Sequence, residues 1–164
     1  MKITREKIIN CLAEKLKNDS SVFAFWLEGA DAHNRVDKYS DIDIWIDIKD
    51  KHESKIFDKI TDILSELGEI DYAHEINHPH PKIRQKFFHF KDTSEFLIID
   101  ICLQSHSRVI QFRKNFQGEK IKIIFDKSNV IQYKTINHQK FNNEIFAKVQ
   151  ELKRTFLFFS SMGK

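Results

Sequence analysis

A chain of 164 residues with 41% hydrophobic residues, 15 Phe and only 4 Gly and 2 Pro can bury one substantial core. That composition excludes a disordered or collagen-like protein. The 27 basic and 24 acidic residues leave a formal charge of +3, too little for charge alone to draw the chain to nucleic acid. Cys11 and Cys102 suggest neither a disulfide frame nor a zinc site. Met1 to Lys7 lacks a signal-peptide core, and no apolar run approaches membrane-spanning length. A cytoplasmic protein with no membrane partner is the expectation.

In chain order, residues 4–17 place Ile8, Cys11, Leu12 and Leu16 at helical spacing and predict an amphipathic helix. Val22 to Leu27 reads as a buried strand that ends at Glu28-Gly29. Residues 29–40 are polar and predict a turn with a short helix. Asp41 to Ile48 alternates without a break, the signature of a strand with two different faces. A second helix follows over 52–67, with Ile56, Ile60, Ile63, Leu64 and Leu67 on one side and Gly68 as its stop. Strands are expected at Glu69–Ile76, Phe87–Phe90, Phe96–Leu103 and Lys120–Phe125, with a loop around Pro79 and Pro81. Asp126 reads as a turn residue, and a final amphipathic helix is expected over about 137–160. No repeat or linker divides the chain, so residues 1–164 read as one domain. The element order predicts an α/β (α+β) fold, with a mixed central sheet and helices mainly on one face.

Chemistry concentrates in Gly29–Asp43, read as G-A-D-A-H-N-R-V-D-K-Y-S-D-I-D, directly after an apolar strand. Asp41 and Asp43 are separated by one residue on a strand, so both side chains leave the same face. Two adjacent carboxylates repel unless a cation lies between them, and their hard oxygens suit Mg²⁺. Asp100 stands inside the apolar run Phe96–Leu103, where a bare charge is costly to bury. It needs a partner, either a shared metal or a structural Arg or Lys. Gly29 allows a sharp turn and a close ligand approach, and the amides that follow can receive phosphate oxygens. Ser40 is placed to hydrogen-bond locally and hold the start of the strand.

The stretch resembles the core motif of the polymerase-beta-like nucleotidyltransferase superfamily. That motif runs Gly-Ser at a strand end, a short helix, then an Asp-apolar-Asp strand. Gly29 and Ala32 match its glycine and alanine, Ser40-Asp41-Ile42-Asp43 match its ending at the same spacing, and Asp100 matches its third carboxylate. Ala30 departs from it, standing where the family carries a phosphate-binding serine, and Asp31, His33 and Asn34 replace other positions of that helix. The resemblance implies the nucleotidyltransferase fold, with Asp41, Asp43 and Asp100 as catalytic and metal-binding residues. It places Gly29, Ala30 and Ser40 at the nucleotide, and implies two Mg²⁺ ions, with Mn²⁺ able to substitute. The implied partners are a nucleoside triphosphate and a hydroxyl-bearing acceptor, a small molecule or a protein.

Lys82, Arg84 and Lys86 are candidates for triphosphate contacts. His74, His78, His80 and His89 cluster in sequence, but their spacing fits no usual zinc set, and surface or loop-lining roles are expected. Trp45 shares the Asp43 face and reads as a core residue or the border of a ligand. Asp47 is expected at the solvated end of that face. Thr155 to Phe159 is apolar and suggests packing on this domain, a homodimer through the C-terminal helix, or a helical partner protein. An antitoxin-like or catalytically silent domain acting through such a partner is the alternative reading. Template-directed work on nucleic acid is not expected.

Overall fold

The computed structural model describes residues 2–114, 117–135, 139, 142–143 and 145–153. Helix α1, Arg5–Lys17, starts at Thr4, whose side chain accepts a hydrogen bond from the Lys7 amide. It buries Ile8, Ile9, Leu12 and Leu16, while Cys11 is only half-buried. Strand β1 covers Val22–Leu27, the short helix α2 Gly29–His33, and β2 Ile42–Ile48. Helix α3, Glu53–Ser65, buries Ile56, Phe57, Ile60, Ile63 and Leu64, a stripe set by the 3.6-residue period.

Strands β3 (Ile70–Ile76), β4 (Ile83–Phe90) and β5 (Ile99–Ser105) follow, then β6 (Gln111–Arg113), β7 (Lys122–Asp126) and β8 (Gln132–Lys134). The six-stranded sheet runs β3-β4-β5-β2-β1-β7, while β6 and β8 form a separate pair. Within the large sheet β2 and β5 are parallel and every other neighbouring pair is antiparallel, so the sheet is mixed. The parallel pair requires the chain to travel through α3, β3 and β4 between its two members.

Alternation sorts the central strands into two faces. Ile42, Ile44, Ile46 and Ile48 of β2 join Ile99, Ile101 and Leu103 of β5 in the main core, against the buried stripes of α1 and α3. The opposite face carries Asp43, Trp45 and Asp47 beside Asp100, Cys102 and Gln104 in register. A smaller apolar cluster of Ala24, Trp26, Phe112 and Ile131, with Trp45 packed against it, covers part of that second face.

The expected elements recur with shifted ends. β4 begins at Ile83, well before Phe87, and β5 begins at Ile99, after Phe96. Strands β6 and β8, three residues each, were not expected, because a three-residue stretch is too short to show a period. Asp126 ends β7 and accepts bonds from the amides of Ser128, Val130 and Ile131, so it does build the turn. Residues 139, 142–143 and 145–153 are helical, and the rest of the expected C-terminal helix, including Thr155 to Phe159, lies outside the described residues. Among the described residues no helix is long and apolar enough to cross a membrane.

Candidate active site

Asp43 and Asp100 are direct register partners on the parallel strands β2 and β5. Neighbouring strands lie about 4.8 Å apart, so the two carboxylates start from adjacent backbone positions on one face. Asp41 precedes β2 and is exposed. Its charge reaches both: repulsion from Asp41 raises the pKa of Asp43 and of Asp100. Burial is the larger cause at each, and it pushes Asp43 up to about 6 with help from Asp41, Asp100, Glu28 and Asp31. At Asp100 the rise is opposed by Gln85, whose Nε2 donates to Oδ1 at 2.8 Å and to Oδ2 at 2.7 Å.

Gly29 turns the chain from β1 into α2 at φ 55°. A side chain there would overlap the Asp43 carboxylate, so the bare backbone lets Asp43 lie against the start of α2. The Glu28 amide donates to the Asp43 carbonyl at 3.1 Å, which ties β1 to β2 at this point. Glu28 is the N-cap residue of α2, yet its side chain makes no cap hydrogen bond. The first amides of that helix, at Gly29 and Ala30, are therefore without a side-chain acceptor from the cap.

Ser40 holds its own turn: its hydroxyl donates to Asp37 Oδ1 at 2.7 Å and accepts from the Asp37 amide at 3.0 Å. Asp31, on the helix where the superfamily motif differs, forms a buried ion pair with Arg5 at 2.5 Å. The same guanidinium donates to the carbonyls of Ser40 and Asp41. Arg5 thus joins α1, α2 and the start of β2, and no spacing in the sequence pointed to it.

Glu28 was also not anticipated. It is half-buried, accepts from the Trp26 indole at 3.0 Å, and has a raised pKa, with burial the main cause. It stands at the end of the apolar run Val22–Leu27, where a charged residue is common, unlike Asp100 inside its run.

Several candidates lie elsewhere. Gln85 faces Asp100, so strand alternation sends Arg84 and Lys86 to the opposite face, where both cations sit over the Phe57 ring of α3. Arg84 also pairs with Glu75. Lys82 donates to the Ser107 carbonyl, beyond the far end of β5 from Asp100. None of the three is placed for a ligand at the aspartates. Asp47 is fully buried instead of solvated: Gln104, its register partner on β5, donates to one oxygen at 2.6 Å, and His106, just after β5, meets the other at 2.6 Å.

The histidines are dispersed. His89 pairs with Asp71, while His78 and His80 accept loop amides. Of these histidines, His78 acts electrostatically on Asp100. Trp45 stacks on Trp26 with ring centroids 6.0 Å apart.

All-oxygen donors whose charges repel one another match a hard divalent cation in charge and chemistry. Among the described residues no three His, Cys, Asp or Glu side chains are already closed into a metal-binding set. Comparison of the sequence with family models and with curated proteins finds no match.

Proposed function

We propose that this protein transfers a nucleoside monophosphate, most simply AMP, from a nucleoside triphosphate to a hydroxyl of a small molecule or protein. The observation that carries this reading is the in-register pair Asp43–Asp100, with Asp41 beside it and the Gly29 backbone pressed against Asp43. In this reading the chain has the nucleotidyltransferase fold.

Asp41, Asp43 and Asp100 would hold Mg²⁺ or Mn²⁺, which neutralises phosphate charge and lowers the pKa of a hydroxyl. The acceptor oxygen forms a bond to the α-phosphorus as the bond from that phosphorus to the bridging oxygen breaks, and pyrophosphate leaves. The hydroxyl proton would pass to a carboxylate, and the Gln85 bonds that orient Asp100 support Asp100 in that role. The Gly29 and Ala30 amides receive a phosphate oxygen at the start of α2, without the hydroxyl that a serine at 30 would add.

A second reading, a domain acting through a protein partner, is favoured by one feature. In the helical residues 145–153, Ile145, Phe146, Val149 and Leu152 lie exposed at spacings that share one side.

Calorimetric titration of ATP, GTP, CTP and UTP with Mg²⁺ separates the two. Wild type is expected to bind at least one triphosphate in a metal-dependent way, and Asp41→Ala with Asp43→Ala to lose that binding. Pyrophosphate release then identifies the acceptor. A folded wild type that binds no triphosphate would falsify the transferase reading and leave the partner reading.

A further inference from the structure

Lys82, Arg84 and Lys86 are turned away from the aspartates, so none of these three serves the phosphate chain in the nucleotidyl-transfer reading. Arg108 sits in the loop between β5 and β6, half-buried on the aspartate face of the sheet. Its guanidinium lies over the Trp45 ring, 5.9 Å from the centroid. Trp45 is two residues from Asp43 on the same face, about 7 Å along the strand. The Arg108 charge is felt by Glu28 and by Cys102, the register partner of Trp45.

Among the described residues, uncharged groups orient the guanidinium. Nη1 donates to Gln104 Oε1 at 2.5 Å. Gln104 cannot flip its amide, because its Nε2 is fixed on the buried Asp47 carboxylate at 2.6 Å, which leaves Oε1 facing Arg108. Asp47 in turn is held from its other side by His106. An aromatic face and a neutral amide thus orient Arg108, and among the described residues no carboxylate lies within ion-pair distance of it. A guanidinium has five N–H donors in a planar fork that matches phosphate oxygens. Near a group of carboxylates, a pre-oriented cation with no ion-pair partner among the described residues suits an anion that arrives with its own counter-cation.

We infer that Arg108, stacked on Trp45 and oriented by Gln104 and Asp47, binds the polyphosphate of the nucleotide. The assignment rests on the nucleotidyl-transfer reading of the aspartates.

The test is titration of wild type, Arg108→Gln and Arg108→Lys with ATP and with inorganic tripolyphosphate, each in excess Mg²⁺. Circular dichroism serves as the fold control. Loss of charge-assisted hydrogen bonds predicts roughly a tenfold to hundredfold weaker affinity of Arg108→Gln for both probes. Arg108→Lys is expected to recover only part of it, because an ammonium lacks the planar fork. If Arg108→Gln does not fold, the same comparison is made with Arg108→Lys. Unchanged ATP affinity in a folded variant overturns the Arg108 assignment and leaves the aspartate reading standing. A loss confined to ATP, with tripolyphosphate unaffected, also overturns it, since the contact would then be to base or ribose. A wild type that binds neither probe overturns both readings together.

Discussion

Gly29 adopts φ 55°, in the left-handed region, and the space a Cβ would need is taken by the Asp43 carboxylate. A side chain there meets two separate penalties, backbone strain of about 1 kcal/mol or more and displacement of Asp43. Gly29→Ala is therefore expected to lower stability by about 1–2 kcal/mol in a denaturant titration and to abolish Mg²⁺-dependent triphosphate binding. Wild-type binding in that variant would show that Asp43 does not depend on the close approach of the backbone. This much was legible in the sequence, because glycine after an apolar strand is a local signal. Glu28, one residue earlier, was passed over although its carboxylate is half-buried beside the same aspartates and its pKa is raised. Its importance comes from which residues fold against it, a property its immediate neighbours in the sequence do not display.

Among the elements, α2 is too short to hold its own position. It has five residues, no side-chain N-cap bond, and a left-handed Asn34 at its end. Arg5 of α1 supplies the constraint, through its ion pair to Asp31 and its bonds to the Ser40 and Asp41 carbonyls. Arg5 is 13% exposed and Asp31 7%, so removing the arginine leaves a buried carboxylate without its cation. Arg5→Ala is expected to cost about 3 kcal/mol, the scale for breaking a buried pair from one side, and to weaken triphosphate binding by loosening Asp41. Asp31→Asn, which removes the charge and keeps an acceptor, is expected to cost less. Thermal unfolding of the two variants decides this; an Arg5→Ala melt unchanged from wild type would mean that other contacts, not the ion pair, hold α2. The helix stripes of α1 and α3 were readable from apolar periodicity. The latch between α1 and α2 was not, since Arg5 and Asp31 are 26 residues apart and look like ordinary surface charges.

Across the whole molecule, the gathered carboxylates link stability to pH. Asp43 titrates near 6 in the folded state against 3.8 ordinarily. Between about pH 4 and 6 the folded chain keeps a proton there that the unfolded chain has released. The folded state is thus progressively disfavoured as pH rises through that window, and the full penalty is present above 6. Asp100 and Glu28 shift in the same direction. A divalent cation should offset this penalty, so Mg²⁺ is expected to raise the melting temperature at pH 7.5 and to have little effect at pH 5. At a hundredfold excess over its dissociation constant the gain is about 2.7 kcal/mol, or roughly 5–10 °C for a chain of this size. Asp43→Asn is expected to raise the metal-free melting temperature at pH 7.5 and remove the response to Mg²⁺. Melts that respond equally to Mg²⁺ at both pH values would contradict a shared cation at these aspartates.

The sequence by itself determined those features that depend on short-range period. Alternation over Ile42–Ile48 placed Asp43 and Asp47 on one face, and the 3.6-residue stripes placed α1 and α3 on the core, because side-chain direction follows from local backbone geometry. Tertiary structure alone decided the rest. Asp43 and Asp100 meet because β2 and β5 pair in parallel across an intervening helix and two strands, a register that no local pattern encodes. The antiparallel β4–β5 pairing turned Arg84 and Lys86 toward α3, while the β2–β5 pairing set Gln104 against the buried Asp47. It also brought Arg108, from a loop with no period to read, onto Trp45. Which charged groups share a site is set by strand order and register, and those are fixed only when the whole sheet is assembled.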